Sequence, residues 1–228
     1  MAMAEPLATP IDLGQAAARL TLWQWLSPVF PTGAFAYSAG LEWAMSHEGG
    51  SQGVGRSTLA DWLADWVQFG GGWSDAVMLS LALRPDADLA ALDDLGRALC
   101  LSSERLAETL DQGTAFAMTV AALTNTDQPP AVLPVAVARA TAPLGLPVAE
   151  IIAAFLHGMA MNQIHAAVRF LPMGQVEGQR ILAGLHSVLT KVAHKAATAG
   201  TDDLGTAAFG ADLATFAHET MKTRMFRT

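Results

Sequence analysis

Side chains able to hold a metal, attack an electrophile or shuttle a proton are few in this chain and widely scattered. Its six histidines are His47, His157, His165, His186, His194 and His218. His157 and His165 stand two helical turns apart, as do His186 and His194, a rise of about 12 Å along one face. Two ligands of one ion, each bonded at about 2 Å, do not sit that far apart. No Cys-x-x-Cys, His-Glu-x-x-His or His-x-His occurs, so helical histidines with satisfied rings are the better account. A site shared across a dimer interface would escape that argument. Ser27, Ser38 and Cys100 offer nucleophiles, but none falls in a strand-turn-helix elbow. The pairs Asp93/Asp94 and Asp202/Asp203 read as solvated charge. No glycine loop is followed by the Lys and Ser/Thr that a phosphate cradle requires.

What remains are polar residues where packing alone does not ask for them. In the stretch from Ser27 to Glu42, Pro31 and Gly33 suit the second and fourth positions of a type I turn, and Tyr37, Ser38 and Glu42 begin the helix after it. In the stretch from Ala166 to Gln179, Arg169 closes a long helix, where a cation complements the dipole and bonds the last carbonyls. Pro172 and Gly174 end that helix, and Gln175 and Gln179 lie one turn apart on the next. This is a capped corner that also displays a guanidinium and two amides. Lys222, Arg224 and Arg227 gather with Phe226 in the last seven residues. A basic, aromatic end on an acidic body reads as a contact arm or as a solvated terminus. Docking, rather than bond chemistry, is the common theme.

The totals agree. Of 228 residues 52% are apolar and 15% charged, an apolar excess that implies a surface covered by another protein. The most apolar segment, residues 148–161, carries Glu150 and His157 and soon meets Asn162 and Gln163, so it is too short and polar to span a bilayer. A net charge of −8 argues against non-specific nucleic-acid binding. No basic start precedes an apolar block, so no secretory leader is expected. The single cysteine suits a reducing compartment, and a cytoplasmic location follows.

These residues must be positioned by helices, because no segment alternates with β-branched enrichment. After a disordered lead expected over residues 1–14, helices are expected at 15–27 (stopped by Pro28), 36–47, 57–69 (N-capped by Ser57), 74–83, 86–100, 102–123, 147–170, 175–198 and 206–224. Glycine-containing loops are expected at 49–55 and 70–72. Ile151, Ile152, Phe155, Leu156, Met159, Ile164 and Val168 nearly surround their axis, which marks 147–170 as the central buried helix. The expectation is an all-α, single globular domain over 15–228, with about nine or ten helices and an arm at about 216–228. All six tryptophans lie in the first third, as an aromatic half of the core or with one or two as interface anchors.

At the residues singled out above, the chain resembles the UreF family of urease accessory proteins. The family pattern S-P-x-L-P-x-G-A-F-x-Y-S-x-G-L-E is matched by Ser27, Pro28, Pro31, Gly33, Ala34, Phe35, Tyr37, Ser38, Gly40, Leu41 and Glu42. The pattern A-A-x-R-L-x-P-L-G-Q-x-x-x-Q is matched by Ala166, Ala167, Arg169, Pro172, Gly174, Gln175 and Gln179. The ending H-E-T-Q-Y-S-R-L-F-R-S is matched by His218, Glu219, Thr220, Arg224, Phe226 and Arg227, with Met221 and Lys222 in place of Gln and Tyr. Glu104-Arg105, Glu108-Thr109 and Gln112-Gly113 are similar to the family's Glu/Arg-rich helix.

The resemblance implies an all-helical, homodimeric scaffold that is not an enzyme and holds no cofactor. It would bridge a UreD-like accessory protein and a UreG-like GTPase on apo-urease, enabling nickel insertion and influencing GTP hydrolysis. The implied partner-binding residues are Tyr37, Ser38, Glu42, His218, Glu219, Arg224, Phe226 and Arg227. Pro31, Gly33, Arg169, Pro172, Gly174, Gln175 and Gln179 are implied to stabilise the fold near the dimer or GTPase face. Two other classes stay in view: a helical chaperone that itself binds nickel, and an enzyme with a pocket built from His157, Asn162, Gln163 and His165.

Overall fold

The computed structural model describes residues 12–47 and 53–228, and every regular element among them is helical. In chain order they are α1 (Leu13–Trp25), α2 (Leu41–Ser46), α3 (Leu59–Phe69), α4 (Gly71–Ala82), α5 (Leu89–Ala98), α6 (Ser103–Thr124), α7 (Leu133–Thr141), α8 (Val148–Phe170), α9 (Gln175–Ala196) and α10 (Phe209–His218). Short 3-10 turns occupy Ala34–Ala36, Ala142–Leu144 and Thr201–Asp203. Most of the expected loop at 49–55 and most of the lead at 1–14 lie outside the described residues.

Local chemistry explains where the helix ends depart from expectation. α1 starts at Leu13 because the Asp12 carboxylate accepts the N–H groups of Gly14 and Gln15 at 2.9 and 3.3 Å. The lead is therefore ordered by residue 12. Thr58, not Ser57, precedes α3, and its hydroxyl accepts the N–H of Gly55 at 3.0 Å. Gly70 alone separates α3 from α4, so Gly71 and Gly72 are helical. The helix expected over 36–47 is cut to α2, because left-handed backbone at Ala39 and Gly40 (φ 50° and 80°) turns the chain first. α7 escaped the periodicity altogether. Leu133, Val135, Ala136, Val137, Ala138 and Ala140 are all buried, so the helix has no polar face to mark it.

α8 packs against α1, α2, α3, α4 and α9 and buries Ile151, Ile152, Phe155, Leu156 and Ile164. It shares the centre with α4 and α7, which are buried along most of their lengths. By length and composition α8 could cross a membrane, but 56% of its apolar stretch is buried inside the protein, as a core helix requires. The tryptophans divide: Trp25, Trp66 and Trp73 are buried, whereas Trp23 is 60% exposed on α1. α10 turns Ala211 and Ala214 into the core and packs chiefly against α2. That contact brings the end of the chain to the 34–42 segment.

The α6–α7 crossing depends on Gly113. A Cβ there would be driven into the Ala131 carbonyl, with Leu133 N only 2.8 Å away. Backbone cannot yield as a side-chain tip does. Gly113→Ala should therefore lower stability by about 3 kcal/mol. A urea titration followed by circular dichroism measures it, and a variant within experimental error of the parent would show that the crossing relaxes freely.

Candidate docking site

The C-terminal segment folds back over the start of α2, and one carboxylate organises the contact. Glu42, 3% exposed, accepts the N–H of Met225 at 2.6 Å and that of Phe226 at 2.8 Å. Its Oε2 also lies 3.3 Å from His218 Nε2. His218 is fully buried, and its Nδ1 lies 2.7 Å from Glu104 on α6. Glu104 in turn pairs with Arg224. The histidine is thus a bridge between two carboxylates on different helices.

The neighbouring residues continue this pairing. Ser38 donates both its N–H, at 2.9 Å, and its hydroxyl to the Thr228 carbonyl. The Thr228 hydroxyl donates to Glu108 at 3.2 Å. Arg227 donates its backbone N–H to the Ala36 carbonyl at 2.7 Å, and its guanidinium lies 3.3 Å from the Tyr37 oxygen and 3.4 Å from Asp111. Tyr37 donates to Asp111 at 2.7 Å; burial first, and then that bond, pushes the phenol above its ordinary range. Gly40 permits the approach of α2 to α10, since a Cβ there would meet Thr215 N at 2.6 Å. Its left-handed φ of 80° suits glycine as well.

Arg169 reaches the same place. It does not bond the last carbonyls of its own helix. Its guanidinium donates to the Phe35 carbonyl at 2.7 Å and lies 4.6 Å above the Phe226 ring. The two sequence motifs and the ending therefore converge on one clasp. Phe226 is buried at its centre, and Arg227 is largely exposed at its rim. Pro31, Pro172, Gly174, Gln175 and Gln179 stay outside it: Pro31 and Pro172 are exposed, Gly174 is the residue before α9, and both glutamines face solvent. Gly33, with φ 74°, sets the Ala34–Ala36 turn.

Glu219 shows why α10 stops at His218 rather than running on to residue 224. Its Oε1 accepts the Ser103 N–H at 2.8 Å, the Ser103 hydroxyl at 2.6 Å and the Glu104 N–H at 3.3 Å. It is an N-terminal cap for α6 supplied from the far end of the chain. The Ser103 hydroxyl and the backbone bonds hold its carboxyl below the usual range.

Sequence reasoning assigned no contact to the other half of the clasp. Glu104, Glu108 and Asp111 recur at helical spacing on the face of α6 that meets the ending. An acidic row at that spacing, set against a basic terminus, was the available clue.

Behind the clasp lies a partly open pocket of about 90 Å³ whose wall includes Asp75, Arg105, Glu108, Gln112, Asn162 and Gln163. His157 and His165 are not part of that wall, so the four-residue pocket weighed above does not form as a unit. Arg105 pairs with Asp75 and lies 3.8 Å from Glu108. Burial raises the pKa of both carboxyls and outweighs the guanidinium's pull. Burial opposes the charge of Arg105 too, but Asp75 and Glu108 together raise its pKa. Among the described residues, no group of three or more His, Cys, Asp or Glu is placed to hold a metal ion.

The fold is all-helical among the described residues, and its motif residues fasten the chain's own terminus. A family model described as UreF matches residues 54–186. The urease accessory protein UreF of Paracoccus denitrificans is 58% identical over 93% of this chain and 97% of its own length. That of Cereibacter sphaeroides is 55% identical over 93% and 99%, and that of a Jannaschia species 43% identical over 95% and 97%. The chain belongs to the UreF family of urease accessory proteins, which supports a role in urease maturation.

The geometry sets two expectations. Glu42→Gln places an amide N–H₂ where two backbone N–H groups converge beside His218 Nε2, which should cost about 2–3 kcal/mol. Hydrogen exchange should show Met225 and Phe226 losing protection first, and unaltered protection would mean that the clasp does not rest on Glu42. The second concerns Glu108. Its pKa is raised on folding, so the stability it contributes is full below the ordinary carboxylate range and lost as the pH rises through the raised value. Glu108→Gln should therefore gain stability relative to the parent between acid and neutral pH. Urea curves whose separation stays constant across that interval would contradict it.

Proposed function

We propose that this chain is a docking scaffold for urease maturation. It bridges a UreD-like accessory protein and a UreG-like GTPase on apo-urease so that nickel can be inserted, and it works as a homodimer in the cytoplasm without catalysing a reaction itself. One observation carries the reading. The clasp fixes the chain end in a single conformation, and α10, which leads into it, turns Phe209, Leu213 and Phe216 outward. These residues are 76%, 50% and 44% exposed at helical spacing, and Met225 beside the clasp is 53% exposed. An exposed aromatic and aliphatic row on the helix that leads into a basic ending has the composition of an interface centre.

The implied partner residues then divide by depth. Tyr37, Ser38, Glu42, His218, Glu219 and Phe226 hold the surface in shape from behind. Arg224 and Arg227, with side chains 38% and 68% exposed, meet the UreD-like partner directly. The open groove formed by Thr32, Gly33, Phe35, Asp111, Thr114 and Arg227, together with Gln175 and Gln179 at the start of α9, is the proposed GTPase or dimer face. Modulation of GTP hydrolysis by an arginine in trans would fall to Arg227, whose side chain is the more exposed of the two terminal arginines and whose contacts to Tyr37 and Asp111 are long.

Leu213→Asp with Phe216→Asp should abolish co-purification with the UreD-like protein at unchanged helix content, because charges would enter the centre of the interface. Removing residues 218–228 should do the same. Retention of the partner by the double variant would remove α10 from the interface. Normal urease activation in cells lacking the chain would end the scaffold reading.

A further inference from the structure

α8 and α9 are consecutive helices joined by the short turn through Pro172 and Gly174, and they run antiparallel along a long shared face. On that face the rings of His157 and His186 approach to 5.7 Å between centroids, with their planes inclined at 42°. The pairing was invisible along either helix, where the histidines repeat every eight residues. It arises only when α8 and α9 are laid side by side.

Both imidazoles lack the partners that fix other histidines. His47 bonds the Trp43 carbonyl, and His218 bridges two carboxylates. Neither ring of the α8–α9 pair hydrogen-bonds to another described residue. Burial, and then the neighbouring His186, hold His157 below the usual imidazole range, so its lone pair is free at neutral pH. One ring is half-buried and the other exposed, which leaves an entry path from solvent.

The separation suits a shared ion. Imidazoles bound at about 2.0–2.1 Å place their ring centroids roughly 4.5–6.4 Å apart for ligand angles between roughly 90° and 180°. The observed distance falls inside that interval. Two nitrogen donors select borderline transition metals such as Zn²⁺, Ni²⁺ and Cu²⁺ over Mg²⁺ and Ca²⁺, which require oxygen.

We propose that His157 and His186 form a reversible two-imidazole site for a divalent transition-metal ion, with solvent filling the remaining coordination positions. The ion would tie α8 to α9. The site lies apart from the clasp and rests on no assumption about urease partners.

Calorimetric titration of the untagged full chain with Zn²⁺ and, separately, Ni²⁺ at neutral pH tests it. One ion should bind per chain, and His157→Ala or His186→Ala should each weaken it at least about tenfold. His165→Ala combined with His194→Ala should leave binding as in the parent, because these residues diverge in opposite directions from the pair. Bound metal should also raise the melting temperature of the parent and not of the pair variants. His186→Gln, at an exposed position, guards against a folding defect, and the visible spectrum of added Co²⁺ reports nitrogen ligation independently. A parent that takes up neither ion, or pair variants that titrate like the parent, would overturn the assignment.

Discussion

The carboxylate of Glu42, with almost no access to water, accepts two successive backbone amides and faces a buried imidazole. Removing a carboxylate from solvent costs several kcal/mol unless its lone pairs are met by donors in good geometry. That cost makes the clasp close to all-or-none. A chain end that is only half in place leaves a buried charge unpartnered, so Met225, Phe226 and His218 arrive together or not at all. His218 then carries the coupling to α6, because Glu104 holds its other nitrogen. The end of the chain, α2 and α6 are thereby tied together by one set of polar contacts.

The punctuation in the sequence serves this one carboxylate. Ala39 and Gly40 turn the backbone so that α2 starts against α10, and the missing side chain at Gly40 lets two backbones approach. Ser38, immediately upstream, uses both of its donors on Thr228, so the strain of the turn falls where the chain end can brace it. Glu219 supplies a third fastening by capping α6. Each contact joins residues separated by more than a hundred positions. This is long-range closure by hydrogen bonds in place of a deep apolar seam.

Much of the architecture was legible because its causes are local. Pro28, the Asn125–Pro130 break and the apolar surround of residues 148–168 mark helices through backbone geometry and periodicity, and the structure has helices there. α7 was illegible for the opposite reason: a helix buried on all sides has no polar stripe, and its Val and Ala content favours no single assignment. The membership of the clasp was legible by type, as polar residues beside forced turns, but its wiring was not. Nothing near Arg169 in sequence says that its guanidinium serves the Phe35 carbonyl, and nothing near Glu219 says that it ends α10 to cap α6. Such pairings belong to tertiary distance, which a single sequence does not carry. The acidic row on α6 was a partial exception, readable once the basic ending is set against it.

In a molecule of net charge −8, the arginines of the basic ending are engaged within the chain. Arg224 and Arg227 are opposed by Glu104 and Asp111, and Arg169 lies over the Phe226 ring. On the helix that leads into this ending, Phe209, Leu213 and Phe216 are left exposed, and these form the docking face proposed above. A partner meeting this surface need not order a loose terminus, because that entropy was already lost when the chain folded. On the proposed docking role, affinity at the outer face would depend on residues beneath it. Glu42 and His218 would then act on binding from inside the protein, through the shape they impose on the segment that they fasten.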